Sequence, residues 1–206
     1  MKRLVLLCPA LLLLAACHHG PDANQATFST AVKTYLAKRG DLCLAKNTWP
    51  IDVSAAEGTS GSRNALQMPV LEKLGLVVSS AALADRNTEN GAVTEQVRRY
   101  QLTDAGKRYY LTRAPRKAPS GDRFLDAGAD LCAVKLSLDK VQGWEATPDG
   151  GMLVSYTYQV APAPWTADAD VRRVFPVVDS VIRGAGTTQL KEAFIAGADG
   201  WEAKDL

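Results

Sequence analysis

Two periods organise the apolar residues of this chain. Thr27 to Lys38 places Phe28, Val32, Tyr35 and Leu36 at helical spacing, and Gly40 ends the run. Asp52-Val53-Ser54 to Glu57 predicts a short helix, stopped by Gly58-Thr59-Ser60-Gly61. Leu66, Val70, Leu71 and Leu74 return to helical spacing, with Ser62 as the N-cap and Gly75 as the stop. Pro69 falls inside that segment, so the helix is expected to kink there or to begin there. Leu76-Val77-Val78 and Val93 to Leu102 predict paired strands around a polar loop, Asp85 to Gly91. Thr103 then caps a helix expected to run through Leu111.

The second half follows a different rhythm. Val134, Leu136 and Leu138 alternate with Lys135, Ser137 and Asp139, the signature of a half-buried strand continuing towards Trp144. Pro148-Asp149-Gly150-Gly151 is a turn, and Met152 to Val160 is the returning strand. Ala167 to Phe175 and Pro176 to Arg183 are helical, with Pro176 at a kink or a new start. Val171, Val174, Phe175, Val178, Val181 and Ile182 are expected to face the sheet, and Gln189 to Ala196 is a last strand. Residues 114–121, rich in Pro, small and basic residues, read as a linker. The order predicts an α+β protein: one small module over 27–113 and an antiparallel-sheet-plus-helix module over 122–206.

The first residues belong to neither module. Lys2 and Arg3 precede an apolar stretch, Leu4 to Leu14, that is shorter than the roughly 20 residues needed to span a bilayer. An export signal fits both its length and its flanks. Leu14-Ala15-Ala16-Cys17 resembles the lipobox of bacterial lipoproteins. That resemblance implies a signal peptide over 1–16, acylation of Cys17, a tether over 17–26 and the membrane as the first partner. His18 follows the cysteine where an Asp favours inner-membrane retention, so the periplasmic face of the outer membrane is implied. A plain secretory signal and a buried N-terminal helix are the alternatives.

Export alters the reading of charge and of the cysteines. Removing residues 1–16 takes away two cations and no acid, so the 22 Asp+Glu are matched by as many Lys+Arg. Overall charge then implies no polyanionic partner. Of cysteines 8, 17, 43 and 132, the first leaves with the signal and the second is acylated. Cys43 and Cys132 remain, in an oxidising compartment, and a single disulfide between them is the simplest reading. Two free buried thiols are the other. The cysteines close similar words, Asp41-Leu42-Cys43 and Asp130-Leu131-Cys132, each with a Lys three residues on, at Lys46 and Lys135.

Leu71-Glu72-Lys73-Leu74-Gly75-Leu76-Val77 and Arg99-Tyr100-Gln101-Leu102-Thr103-Asp104-Ala105-Gly106-Lys107 resemble the recognition-helix end and the wing-to-helix turn of MarR- and PadR-type regulators. The resemblance implies a winged-helix-like first module. It does not carry DNA binding with it, because folds host many functions. Pro69 interrupts the would-be recognition helix, Arg63, Asn64 and Gln67 are its few base-reading side chains, and an exported domain meets no DNA. No nucleic-acid partner is expected. Arg98, Arg99, Lys107, Arg108, Arg113, Arg116 and Lys117 nonetheless form a local basic cluster. It reads either as an anion-binding patch or as a solvated face with a basic linker.

Catalytic chemistry is scarce. The only histidines, His18 and His19, precede the folded part, so His-based triads and Cys–His dyads are excluded there. Two adjacent His without further ligands do not make a metal site, and neither a metal nor another cofactor is expected. Glu57, Asp126, Asp130 or Glu145 are available for a carboxylate pair of the kind that hydrolyses glycosides, but spacing selects none of them. Trp144, Trp165 and Trp201 fall in the second half, either as an aromatic surface for a glycan or as packing. The leading expectation is a lipid-anchored, non-catalytic interaction module with an envelope protein or glycan as its partner. A cell-wall glycan enzyme or accessory factor is the alternative, and a membrane-tethered DNA-binding regulator is a third.

Overall fold

A computed structural model of the chain describes residues 21–88, 91–112, 116–117, 124–125 and 128–206. Cys17, Arg113 and Asp126 lie outside the described residues. The protein is mixed α/β, organised on a curled antiparallel sheet.

Helix α1 (Gln25–Arg39) starts at Asn24. The Asn24 side chain accepts the Ala26 and Thr27 amides, while the Thr27 hydroxyl accepts the Asn24 amide. This reciprocal cap satisfies donors a helix start leaves open. The buried stripe is Phe28, Ala31, Val32 and Leu36, close to the spacing read from the sequence. Strand β1 (Asp41–Cys43) follows directly.

Strand β2 (Ile51–Ser54) occupies the start of the expected short helix, which is displaced to α2 (Ala55–Ser60). The physical reason is Ser54, whose hydroxyl accepts the Glu57 amide while the Glu57 carboxylate accepts the Ser54 amide. That capping box starts the helix at Ala55 and leaves Ile51 to Val53 free to pair. Helix α3 (Arg63–Lys73) is capped by Ser62 as expected. It runs through Pro69 rather than starting there, and Pro69 is exposed, where solvent serves the carbonyl that the ring leaves without a donor. Gly75, at φ +72°, ends it.

Strands β3 (Val77–Thr88) and β4 (Gly91–Leu102) extend well into the expected loop and pair over their whole length. With β2 they form a three-stranded sheet in the order β2-β4-β3. Helix α4 (Asp104–Lys107) is one turn, not the longer helix expected through Leu111. Tyr110 to Thr112 instead form β5 and pair with Leu131 to Ala129. Tertiary pairing overrides local periodicity here. In the linker region Arg116–Lys117 (β6) pairs with Phe124–Leu125 (β7) as a short ribbon.

Strand β8 (Ala129–Ala146) is the spine of the protein. It pairs with β1, with β5 and with β9 (Met152–Pro162). A 3-10 turn at Pro164–Ala167 leads into α5 (Ala169–Val174) and α6 (Pro176–Arg183). Strands β10 (Gln189–Gly197) and β11 (Gly200–Ala203) complete the sheet in the order β1-β8-β9-β10-β11.

Two cores result. Helix α1 packs on the far part of this sheet, where Phe28, Val32 and Leu36 meet Val141, Val154, Tyr156 and Phe194. The other core joins Met68, Val70, Leu71, Val77 and Tyr100 to Leu131, Val134, Trp165, Val171, Phe175 and Val178. Residues 25–43, read with the first half, therefore pack with the second. The apolar stripe of α1 needs a sheet face, and β1 finds backbone partners on the edge of β8. The halves on either side of 114–121 share one core.

Candidate functional site

Helix α3, the turn before α6 and the residues after β1 enclose a groove of about 550 Å³. Its walls are apolar: Leu42, Leu44, Leu66, Phe175, Val177 and Val178 among others. Phe175 and Val178 are buried in the shared core, whereas Leu66 (57% exposed) and Val177 (64%) stand at the rim, open to solvent. Large apolar side chains at this exposure, on facing sides of one concavity, make the groove the candidate site.

Two polar residues of α3 line the groove. Arg63 and Gln67 are four residues apart, so they share a helix face. Gln67 is 8% exposed, and its Nε2 donates to the Val174 carbonyl at 2.9 Å. That bond fixes the amide orientation, since a flip would set oxygen against oxygen. The Gln67 Oε1 is buried and accepts no hydrogen bond among the described residues. A buried unpaired acceptor costs free energy until a donor reaches it.

Lys46 follows the lining residue Ala45 in sequence. Its side chain is buried, and burial lowers its ammonium below the ordinary lysine value, with the Arg63 charge adding and Asp130 opposing. Asp130 is also buried, and its Oδ1 accepts the Lys46 backbone amide at 2.7 Å.

Cys43 and Cys132 form a disulfide beside the groove, with partners opposed across the β1–β8 pair. It anchors the strand that leads into Leu44 and Ala45, and so holds that wall in place.

Several members of the basic cluster are engaged by acids. Arg99 donates to both oxygens of Asp52 at 2.7 Å, and Arg98 pairs with Glu72 at 2.9 Å while its guanidinium lies over the Tyr100 ring. Lys107 pairs with Asp104, and Arg108 is exposed at the end of α4. Arg116 and Lys117 sit in β6, and Arg113 is outside the described residues. Adjacent positions 98 and 99 point to opposite faces of β4.

The tryptophans make ring contacts, although Trp144 remains 38% exposed. Trp144 and Trp201 flank Phe28 with ring centroids 5.0 and 5.1 Å away, and Trp165 is buried against Tyr109. Of the carboxylate candidates, Glu57 pairs with Arg86, Asp130 is held by Lys46, and Glu145 pairs with Lys191. Asp130 and Glu145 stand near opposite ends of the eighteen-residue β8 and share no cleft. Among the described residues no group of three His, Cys, Asp or Glu is placed to hold a metal, and no helix is long and apolar enough to cross a membrane.

Sequence reasoning names Arg63 and Gln67 only as polar residues of a would-be recognition helix. The groove also needs Val174, 107 residues beyond Gln67, and no local pattern announces that contact. No family model, curated protein or solved structure matches the chain.

Proposed function

We propose that this chain is a lipid-anchored periplasmic protein that binds another envelope component without transforming it, and that the α3–α6 groove is its binding site. The observation that carries the reading is the pair of large apolar side chains Leu66 and Val177, 57% and 64% exposed on facing sides of one apolar groove.

The fold supports a scaffold use of the first module. The succession β2, α2, α3, β3, β4 with the sheet order β2-β4-β3 favours a winged-helix-like description. Its α3, however, is engaged by the second half: Gln67 bonds to Val174, and Lys73 pairs with Asp168 and Asp170 at 3.5 and 2.8 Å. The helix a regulator would offer to DNA is part of an internal junction. The lipobox at 14–17 supports attachment through Cys17 at the outer membrane.

Two experiments test this reading. Cys17→Ala is expected to move the protein from the membrane fraction to the soluble periplasmic fraction, and unchanged membrane association contradicts the anchor. A photo-crosslinking residue at position 66 or 177 is expected to give a discrete adduct in living cells. Adducts from the exposed ribbon position 83 alone, with none from the groove rim, contradict the site.

A further inference from the structure

We infer that the end of the sheet carrying Trp144, Ile195 and Trp201 rests on the phospholipid surface that holds Cys17, with the groove turned away from it. This rests on the acylation of Cys17 and is independent of what the groove binds. Three observations select the arrangement.

The first is the point where the chain leaves the fold. The Asp22 carbonyl accepts the Thr27 hydroxyl at 2.6 Å and the Trp201 indole N–H at 3.2 Å. Those bonds hold residue 22 against the start of α1 and against β11. Cys17 is five residues earlier, a reach of at most about 18 Å at full extension. A bilayer that holds the acyl chains is therefore always close to this end. So short a link raises its effective concentration there, and weak contacts become populated.

The second is the surface at that end. Ala146 of β8 lies opposite Met152 of β9, Met152 opposite Phe194 of β10, and Trp201 of β11 opposite Ala196. Trp144 and Trp201 stand on the α1 face, against Phe28. Ile195, next to the buried Phe194, points to the other face. Trp144 and Ile195 are both exposed, so both sides of this edge offer apolar surface. Indoles suit the boundary between headgroups and acyl chains. Asp22, Asp199 and Glu202 are exposed at the same end. They fit a zwitterionic headgroup with an outward ammonium and repel an anionic one.

The third is the opposite end. Helix α1 carries the chain away from the anchor for 15 residues, about 22 Å. Strand β1 follows and supplies Leu42 and Cys43 to the groove. Strand β8 measures the separation independently: Leu42 pairs with Val134, and Trp144 lies ten residues further on, about 30 Å away. A protein standing on its Trp144 end holds the groove out in the periplasm. One lying on its side brings Leu66 and Val177 to the lipid instead.

The test uses the full acylated chain, purified from membranes and reconstituted in vesicles of phosphatidylethanolamine and phosphatidylcholine. A benzophenone amino acid is placed at position 195 or 199, or at groove-rim position 66 or 177, and phospholipid adducts are read by mass after irradiation. Adducts are expected at 195 and 199 and not at 66 or 177, although Leu66 and Val177 are more exposed than Ile195. Adducts at 66 or 177 as abundant as those at 195 overturn the inference. So does the absence of adducts at 195 and 199 from chain that floats with the vesicles. Both outcomes leave the anchor standing. A chain that carries no acyl mass and does not float with the vesicles overturns the anchor and the inference together.

Discussion

The Nε2 of Gln67 donates to the carbonyl of Val174 at 2.9 Å, joining α3 to the end of α5 across the shared core. That bond ties the halves of the protein together, and Gln67→Ala removes it. Chemical denaturation is expected to show a loss of about 1–2 kcal/mol, the cost of a lost hydrogen bond with its acceptor left in a poorly solvated junction. No change in midpoint would show that the halves do not depend on this contact.

The disulfide closes a loop with a sequence separation of 89 residues. In the chain-entropy account, cross-linking a loop of that length stabilises the folded state by about 4–5 kcal/mol. Reduction, or the double variant Cys43→Ala/Cys132→Ala, is expected to lower the denaturation midpoint by a corresponding amount. The oxidised protein is expected to show no free thiol at positions 43 and 132 after unfolding. Two reactive thiols there would contradict the bridge.

Beneath α1, burial raises the Glu192 carboxyl above its ordinary value, with the Asp205 charge adding and hydrogen bonds from Tyr35 and the Ala193 amide opposing. A carboxyl raised on folding binds its proton more tightly in the folded chain. It therefore contributes stability below the ordinary carboxylate range, and this is lost as pH rises through the folded value. Asp52 runs the other way. The hydrogen bonds from Arg99 hold it below its ordinary value, so its contribution is lost as pH falls. Glu192→Gln keeps an acceptor for Tyr35 and removes the titration. Thermal melts from about pH 4 to about pH 7 are expected to show the variant gaining on the parent as pH rises. A constant difference across that range would show that Glu192 does not titrate differently in the folded state.

Gly106 lies so close to the start of β3 that an added Cβ would stand 2.0 Å from the Leu76 carbonyl oxygen. Gly106→Ala is expected to cost about 1–3 kcal/mol or more, because two backbone segments must part. Gly58→Ala, where an added Cβ meets nothing within 4 Å, is the control and is expected to be tolerated. Equal stability of the two variants would show that the packing between α4 and β3 is looser than described.

Much of the secondary structure was legible because its causes are local. The Ser62 cap, the Gly75 stop and the alternation of Val134, Leu136 and Leu138 all act within a few residues. Two of the failures depend on distant partners. Ile51 to Val53 and Tyr110 to Thr112 become strands because distant partners, at Tyr100 to Arg98 and at Leu131 to Ala129, complete their hydrogen bonds. The paired words show the boundary well. Asp41-Leu42-Cys43 and Asp130-Leu131-Cys132 are visibly alike, and antiparallel pairing sets Asp41 against Lys135, while Asp130 meets the Lys46 backbone beyond the end of β1. Asp41 meets the Lys135 ammonium at 3.1 Å, and Asp130 accepts the Lys46 amide at 2.7 Å. The likeness can be read along the chain, but the pairing it serves cannot. The groove is further still from local reading, since its walls come from residues 42–45, 63–67 and 174–178.

Hydrogen exchange of the full chain in native envelope membranes and in phosphatidylcholine nanodiscs free of other envelope components tests the central claim most directly. The groove account predicts slower exchange in the native membranes in residues 42–45, in α3 and in α6, with the β3–β4 ribbon unchanged. Slowing confined to the ribbon, or none anywhere, would contradict it.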